Sequence, residues 1–286
     1  MSAAAPERPA PSAPPAAPPP AGPPAEGRVR LRIAGPVATL VFDRPAARNA
    51  MTWAMYEELA AHCRTLSQGA DGAGEAAGVR AVALRGAGGQ AFVAGTDIEQ
   101  FRAFESGEDG VAYEARVAHF VGLLEAVPQP TVAVVEGWAV GGGMALCNAC
   151  DLRVATPGAR FGVPIARTLG NCLSAANVRR LVATLGVGMV QRMLLLAEMP
   201  TAEQMPAGYL EVVPAAGLDA HVDGLCARLA GHAPLTVRVA KETLRRLAAD
   251  PQAPDDDLVR LIYGSADFRE GVDAFLAKRA PRWSGA

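Results

Sequence analysis

The chain has 286 residues, 50% hydrophobic, 20% charged and 5% aromatic, with 27 Lys and Arg against 29 Asp and Glu for a net charge of −2. That is apolar material for a substantial core, while balanced charge without a basic block argues against a nucleic-acid surface. No apolar run reaches the roughly 18 to 20 residues of a membrane-spanning helix, so the expected partners are small molecules or proteins, with no nucleic acid and no membrane. Five cysteines at irregular spacings, in a chain too large to need disulfides, read as reduced thiols of a cytoplasmic protein.

Residues 1–26 are nearly all Ala and Pro. Such a segment favours polyproline II with nothing to pack, so a disordered tail is expected; it lacks the continuous apolar centre of a signal peptide. From Gly27, "RVRLRIAGPVATLVFDRP" alternates apolar and polar residues around Gly-Pro, which predicts a β-hairpin. A helix is predicted over Trp53 to Leu66, a surface loop at "GADGAGEAAG", and a buried strand at "VRAVALRG". The stretch "GAGGQAFVAGTDI" reads as a loop, followed by a helix from Tyr113 to Ala126, the strand "PTVAVVEG", three glycines, a helix to Cys150 and the strand "DLRVAT". Helices then dominate: Val187–Leu196, Thr201–Ala207, Leu218–Leu229, Leu235–Ala248 and Phe268–Lys278. The expected fold class is α/β, with a core over 27–200 and a helical region over 201–286.

Gly141, Gly142 and Gly143 stand at a strand-to-helix junction, where bare N–H groups and the helix dipole can hold an anion or a developing oxyanion. Close helix-to-sheet packing is the competing explanation. The run is neither a Walker loop nor a dinucleotide fingerprint, since no Gly-Lys-Ser/Thr follows and the spacing is wrong. Upstream, "FVAGTDIEQF" (Phe92 to Phe101) is a second strand-end turn with a glycine and a potential capping acid.

With "FDRPAARNAM", "PTVAVVEGWAVGGGMAL", "DLRVATPGARFGVP" and "DFREGVDAFLAKRAPRW" in the same order and spacing, the chain from about Val29 to Trp283 resembles the crotonase superfamily, the enoyl-CoA hydratase/isomerase family. The resemblance implies a spiral of ββα units and a C-terminal helical region that forms trimers, often paired as hexamers. It also implies polarisation of an acyl-CoA thioester by two main-chain N–H groups, here those of Thr96 and Gly142. No separate cofactor and no metal are implied; coenzyme A enters as part of the substrate. Ala46, Ala47 and Arg48, with Ala94, Gly95, Asp97, Ile98 and Glu99, would line the CoA arm beside Gly141, and Phe275 and Lys278 would complete the nucleotide site. The Thr96 side chain is taken to be without consequence, because only its backbone is used.

The family's hydratases carry one glutamate three residues past the donor glycine and another after the proline of the "FG.P" segment; here these places hold Ala145 and Ile165. Neither side chain can move a proton. Candidates for a relocated acid or base are Glu114, His119 and Cys172. Against these stand plainer readings: His119 packed or solvated, Glu99 solvated on its helix, Cys172 a buried structural thiol. Arg167 either binds an acyl carboxylate or makes a surface salt bridge. Asn171 and Ser174 read as helix caps, Glu136 and Glu198 as structural, and "CNAC" (Cys147 to Cys150) as core packing, since two further zinc ligands are lacking. Two functions stay open: an enolate-forming acyl-CoA enzyme (isomerase, lyase, decarboxylase or atypical hydratase), and a non-catalytic acyl-CoA binder or oligomer-forming homologue.

Overall fold

A computed structural model describes residues 26–286; the Ala/Pro-rich stretch 1–25, expected to be disordered, lies outside the described residues. The predicted hairpin is present as β1 (Arg28–Ala34) and β2 (Val37–Asp43), paired antiparallel. In β2 the alternation buries Ala38, Leu40 and Phe42 and leaves the residues between them half-buried, the pattern of a strand with one face on the core.

Three strand-turn-strand units follow: β3 (Ala81–Gly86) with β4 (Ala91–Val93), β5 (Thr131–Val135) with β6 (Trp138–Val140), and β7 (Leu152–Ala155) with β8 (Arg160–Gly162). In each unit the first strand joins a six-stranded sheet, in the order β1-β2-β3-β5-β7-β9, where β9 is Glu211–Val212. The second strand joins a parallel three-stranded sheet, β4-β6-β8. The corners between the sheets are tight: a Cβ on Gly137, between β5 and β6, would sit 1.9 Å from the Gln90 carbonyl oxygen. β5 is buried at all five residues because both its faces are covered. Ala133 and Val135 face the main core, while Val132 and Val134 pack on Leu218, Val222 and Leu225 of a later helix.

Helix α1 (Trp53–Ala70) starts at Thr52, whose hydroxyl accepts the Met55 N–H, and buries Met55, Tyr56, Leu59, Cys63 and Leu66 along one face. It runs four residues past the expected end. α2 (Gly107–Glu125) begins six residues earlier than expected, at a capping box between Ser106 and Asp109, and buries Tyr113, Val117, Phe120, Val121 and Leu124. α3 (Gly142–Ala149) follows the three glycines, and α4 (Ala175–Leu195) spans more than the predicted Val187–Leu196 because it continues across a kink at Gly186. The C-terminal helices are α5 (Leu218–Ala230), α6 (Pro234–Ala249), α7 (Asp256–Tyr263) and α8 (Ala266–Leu276). The Lys241 ammonium of α6 ties them to the sheet, donating to the Gln129 carbonyl and, at 2.7 Å, to Asp151.

Several elements correct the sequence reading. The loop expected at "GAGGQAFVAGTDI" contains β4, and β6, β8, β9 and α7 were not anticipated; Thr201–Ala207 holds only a short 3-10 turn, Ala202–Gln204. Strands of two or three residues carry no readable period. β9 also places one strand of the large sheet within 201–286, which was expected to be helical throughout.

Candidate active site

The three short strands run parallel and end side by side, so whatever follows each of them shares one edge of the small sheet. Gly95 and Thr96 follow β4, Gly141 and Gly142 follow β6, and Pro164 and Ile165 follow β8. A hydrogen bond from Gly141 N–H to Gly162 O, at 2.9 Å, fastens the second of these ends to the third. Gly141 has φ 56° and ψ −120°, a backbone that side-chain-bearing residues avoid. At Gly143 a Cβ would lie 1.9 Å from the Val93 carbonyl oxygen, so helix-on-strand packing demands glycine there. Gly142 differs: its Cβ position lies 2.8 Å from the Tyr56 hydroxyl, 3.1 Å from the Thr96 hydroxyl and 3.9 Å from the Thr96 nitrogen. Packing therefore demands glycine at Gly143 against backbone and at Gly142 against side-chain hydroxyls.

The Thr96 N–H has a direction set by its neighbours. Gly95 O accepts from Met51 N–H and Asp97 N–H donates to Met51 O, so residues 95 and 97 bond to the Met51 segment. In extended backbone the intervening N–H points the opposite way, away from the Met51 segment. Gly142 opens α3, whose first intrahelical bond is Ala145 N–H to Gly141 O, and its own N–H is one of the orphan donors of the first turn. Neither N–H donates to an acceptor among the described residues.

This backbone is held by polar side chains, of which sequence reading selected Asp97 and passed over Arg44, Asn49 and Gln100. Arg44 pairs with Asp97 at 2.7 Å, with both side chains largely buried. Asn49 accepts from Arg44 N–H and donates to the Ala87 and Ala91 carbonyls, and Gln100 donates to Met51 O. Arg44 and Asn49 lie in the quoted stretch "FDRPAARNAM" and Gln100 in "FVAGTDIEQF", but nothing local marks any of the three as buried.

The Thr96 side chain corrects the expectation that it is idle. Its hydroxyl accepts from Tyr113 at 2.9 Å and is bonded to the Tyr56 hydroxyl at 3.0 Å. Tyr56 stacks on Phe120, and Trp53, Phe101 and Phe104 ring Tyr113. Burial pushes the Tyr56 hydroxyl well above its ordinary range and Tyr113 up to about 12, with the nearby Glu114 carboxylate adding to both. Both phenols therefore remain protonated at neutral pH. Glu114 is itself raised, by burial, against the lowering effect of a 2.5 Å bond from Ser174 N–H.

Of the other predicted residues, Ala46 and Ala47 lie in a 3-10 turn, Pro45–Ala47, capped by a left-handed Arg48, whose carbonyl accepts from Ala94 N–H. The loop 46–48 thus adjoins the loop 94–99. Asp97 is committed to Arg44 and to capping Glu99 N–H; Ile98 is exposed, and Glu99 pairs on the surface with Arg102. Ala145 is buried in α3, and Ile165 is half-buried against the main core. His119 emerges on the exposed side of α2 with its ring against Phe120 and makes no hydrogen bond to the tyrosine cluster. Cys172 is exposed, which overturns its reading as a buried thiol. Arg167 is also exposed and, among the described residues, has no ion-pair partner, so the expected salt bridge is not made. Phe275 is 84% exposed at the end of α8, and Lys278 follows with φ 53°; neither bonds to the loop 94–99. Cys147 and Cys150 are buried, with burial pushing the Cys147 thiol up to about 11, as core packing requires. Ser174 caps α4, Glu136 pairs with Arg85 and Glu198 with Arg192, all structural roles.

Paired sheets built from repeated ββα units, with a helical C-terminal region and a site on the small sheet's edge, define a crotonase-type fold. The enoyl-CoA hydratase/isomerase family profile matches residues 32–286, and the chain belongs to that family. It is 33% identical over 256 residues to the probable enoyl-CoA hydratase echA6 of Mycobacterium tuberculosis, covering 88% of this chain and 98% of that one. It is 31% identical over 256 residues to the 2,3-dehydroadipyl-CoA hydratase of Escherichia coli, covering 87% and 95%. Among solved structures, an enoyl-CoA hydratase/carnithine racemase from Magnetospirillum magneticum superposes with a TM-score of 0.80 at 30% identity, covering 90% of this chain and 96% of that one.

Proposed function

We propose that this chain acts on acyl-CoA thioesters, holding the thioester oxygen between the Thr96 and Gly142 N–H groups and stabilising the enolate that forms at the α-carbon. The observation that supports this reading is that these two residues stand on adjacent strand ends, with the Thr96 nitrogen 3.9 Å from where a Cβ on Gly142 would sit, and that neither N–H donates to an acceptor among the described residues. Negative charge gathers on the thioester oxygen as the enolate forms, and the N-terminus of α3 adds its favourable potential. Each well-placed donor contributes about 3 to 4 kcal/mol to such a transition state. The loops 46–48 and 94–99 would flank the CoA arm, and Ala145 and Ile165 would form an apolar wall for the acyl group.

Ala145 and Ile165 exchange no protons, so the acid or base lies elsewhere. Of the three candidates, Glu114 is favoured: it is half-buried, raised, and adjacent to both site tyrosines, whereas His119 and Cys172 are exposed. Loss of CO2 from a malonyl-type acyl group would create the enolate without any base, which keeps decarboxylation within this reading. The exposed apolar residues Leu244, Phe275 and Leu276 on the C-terminal helices fit assembly into a trimer or hexamer.

The test is a panel of enoyl-, malonyl- and β-oxoacyl-CoA substrates. Because a Cβ on Gly142 would strike the Tyr56 hydroxyl, the informative pair is Gly142→Ala and Gly142→Pro, each in a Tyr56→Phe background. Both add a Cβ, but only proline removes the N–H. Turnover should fall roughly 100- to 1,000-fold further in the proline variant than in the alanine one. Equal rates in the two would overturn the role of that N–H. Tight acyl-CoA binding without turnover across the panel would instead establish the non-catalytic binder.

A further inference from the structure

Away from the candidate active site, a cavity of about 190 Å³ lies where the C-terminal end of α3 meets α4 and α6. Its wall carries Arg153 of β7, Arg179 and Arg180 of α4, and Lys241 and Arg245 of α6, against two carboxylates, Glu125 and Asp151. Three of these cations are matched: Arg180 with Glu125 at 2.9 Å, Lys241 with Asp151 at 2.7 Å, and Arg245 with Glu242 at 2.7 Å. The Glu242 carboxylate is shared, since it also takes Arg246 at 2.9 Å. Arg179 and Arg153 pair with no carboxylate among the described residues. Arg179 donates to the Ala248 carbonyl. Arg153 is buried and donates to the main-chain carbonyls of Asn148, Cys150, Asp151 and Tyr209, with its guanidinium 4.5 Å from the centre of the Tyr209 ring.

A buried guanidinium loses its hydration and needs compensation. The carbonyls at the end of α3, the negative end of that helix, supply part of it and leave the formal charge uncancelled. Donors are in surplus as well: Arg153 Nε and Asn148 Nδ2, both buried and both on residues of this wall, find no acceptor among the described residues. Asn148 Oδ1 is occupied, taking the Thr184 and Tyr209 hydroxyls at 2.7 and 3.2 Å, so the amide nitrogen is the unspent end. Protein covers these two donor atoms, so they act on the cavity through its potential; contact falls to Arg179 and Arg245, whose side chains reach solvent. Such a wall suits an anion with several acceptor oxygens, and guanidinium groups are the donors whose fork matches phosphate. We propose that this cavity binds a phosphate oxyanion, free or as the monoester of a small metabolite, which bridges the arginines of α4 and α6. Bound there, the anion offsets the repulsion between the two helices and fastens the C-terminal region to the core. None of the residues expected at the coenzyme A site lines this cavity, so the inference is independent of the acyl-CoA reading.

The experiment titrates the full chain with inorganic phosphate and, separately, with glycerol phosphate by isothermal calorimetry in about 0.15 M sodium chloride, where exposed charges are screened beyond about 8 Å. Saturable binding is expected, and the melting temperature should rise roughly 2 to 4 °C at tenfold the dissociation constant. Arg179→Gln combined with Arg245→Gln removes the two cations of the wall that reach solvent, and affinity should fall about 10-fold or more. Arg192→Gln combined with Arg260→Gln takes the same charge from exposed positions outside the cavity wall, and affinity should stay within about twofold of wild type. Tighter binding of glycerol phosphate identifies a monoester as the source and tighter binding of inorganic phosphate the free ion; both support the cavity. Absence of saturable binding by either ligand overturns the proposal. Equal losses in the two double variants overturn it as well, by reducing the effect to net charge.

Discussion

The edge of the small sheet has two walls built in opposite ways. Around Thr96 and Gly142 nearly every polar group is spent: Arg44 on Asp97, Asn49 on two carbonyls, Asp97 on a turn, Tyr113 on Thr96. The segment 166–172, which follows β8 on the same sheet edge, is exposed throughout, from Ala166 to Cys172, with Arg167 making no ion pair among the described residues. On the proposed function, the first wall would serve as a preorganised frame for one oxygen atom, which any reaction through an enolate needs. The second carries no internal obligation, and variation there alters the chemistry without disturbing the frame.

That contrast is open to measurement. Gly143→Ala should be the most damaging change, since its Cβ would lie 1.9 Å from Val93 O and 2.8 Å from Val93 Cβ. A loss of about 4 kcal/mol or more, seen as a large fall in the urea midpoint or as failure to fold, is expected. A stable Gly143→Ala protein would show that the frame yields.

Glu114→Gln probes the bridge between the walls, because this residue accepts from Ser174 at the start of α4 while standing beside Tyr113. Its folded carboxyl is raised by burial, so the folded state binds its proton more tightly than the unfolded chain. Stability is then fullest below the ordinary carboxylate range near 4.3 and declines as pH rises through the raised value. Glutamine removes that decline while keeping an acceptor for Ser174. The variant should melt roughly a degree or two above wild type at pH 8, with the difference vanishing at pH 4, while activity falls about 100-fold or more if Glu114 moves the proton. Unchanged activity with the stability gain intact would leave Glu114 a purely structural group.

Arg167→Ala and Cys172→Ala should be the quietest, each within about 0.5 kcal/mol of wild type in denaturant unfolding. Their activity readout is selective: Arg167→Ala should depress turnover of carboxylated acyl groups and spare uncarboxylated ones. A large stability loss in either would mean that this wall is packed after all.

Much of the fold was legible before any coordinates. The β1–β2 hairpin, β3, β5, β7 and most of the helices, α7 and the first half of α4 apart, carry periods of two or near 3.6 over enough residues to be read. The strands of the small sheet do not, being three residues each, yet their ends place the candidate site. Within the candidate site, Thr96 and Gly142 were singled out by the resemblance of their motifs to the family. Tyr56 and Tyr113 were passed over because an aromatic at helical spacing looks like any core residue, and their hydroxyls matter only where α1 and α2 bring them to Thr96. His119 and Cys172 were attractive by residue type alone, and type says nothing about which way a helix or loop turns its side chain.

Backbone demands are written locally: glycine where φ is positive or a neighbour is too close, alternation where a strand has one wet face, Thr or Ser where a helix begins. Composition and element order therefore specified an α/β chain with a bare strand-to-helix junction, and the resemblance of its motifs added the crotonase family. Whether the Thr96 and Gly142 amides stay unspent, and which hydroxyls pack beside them, depends on how three short strands line up and how two helices lean on them. Hydrogen bonding is a matter of ångströms and angles, and those arise only when distant segments are packed together.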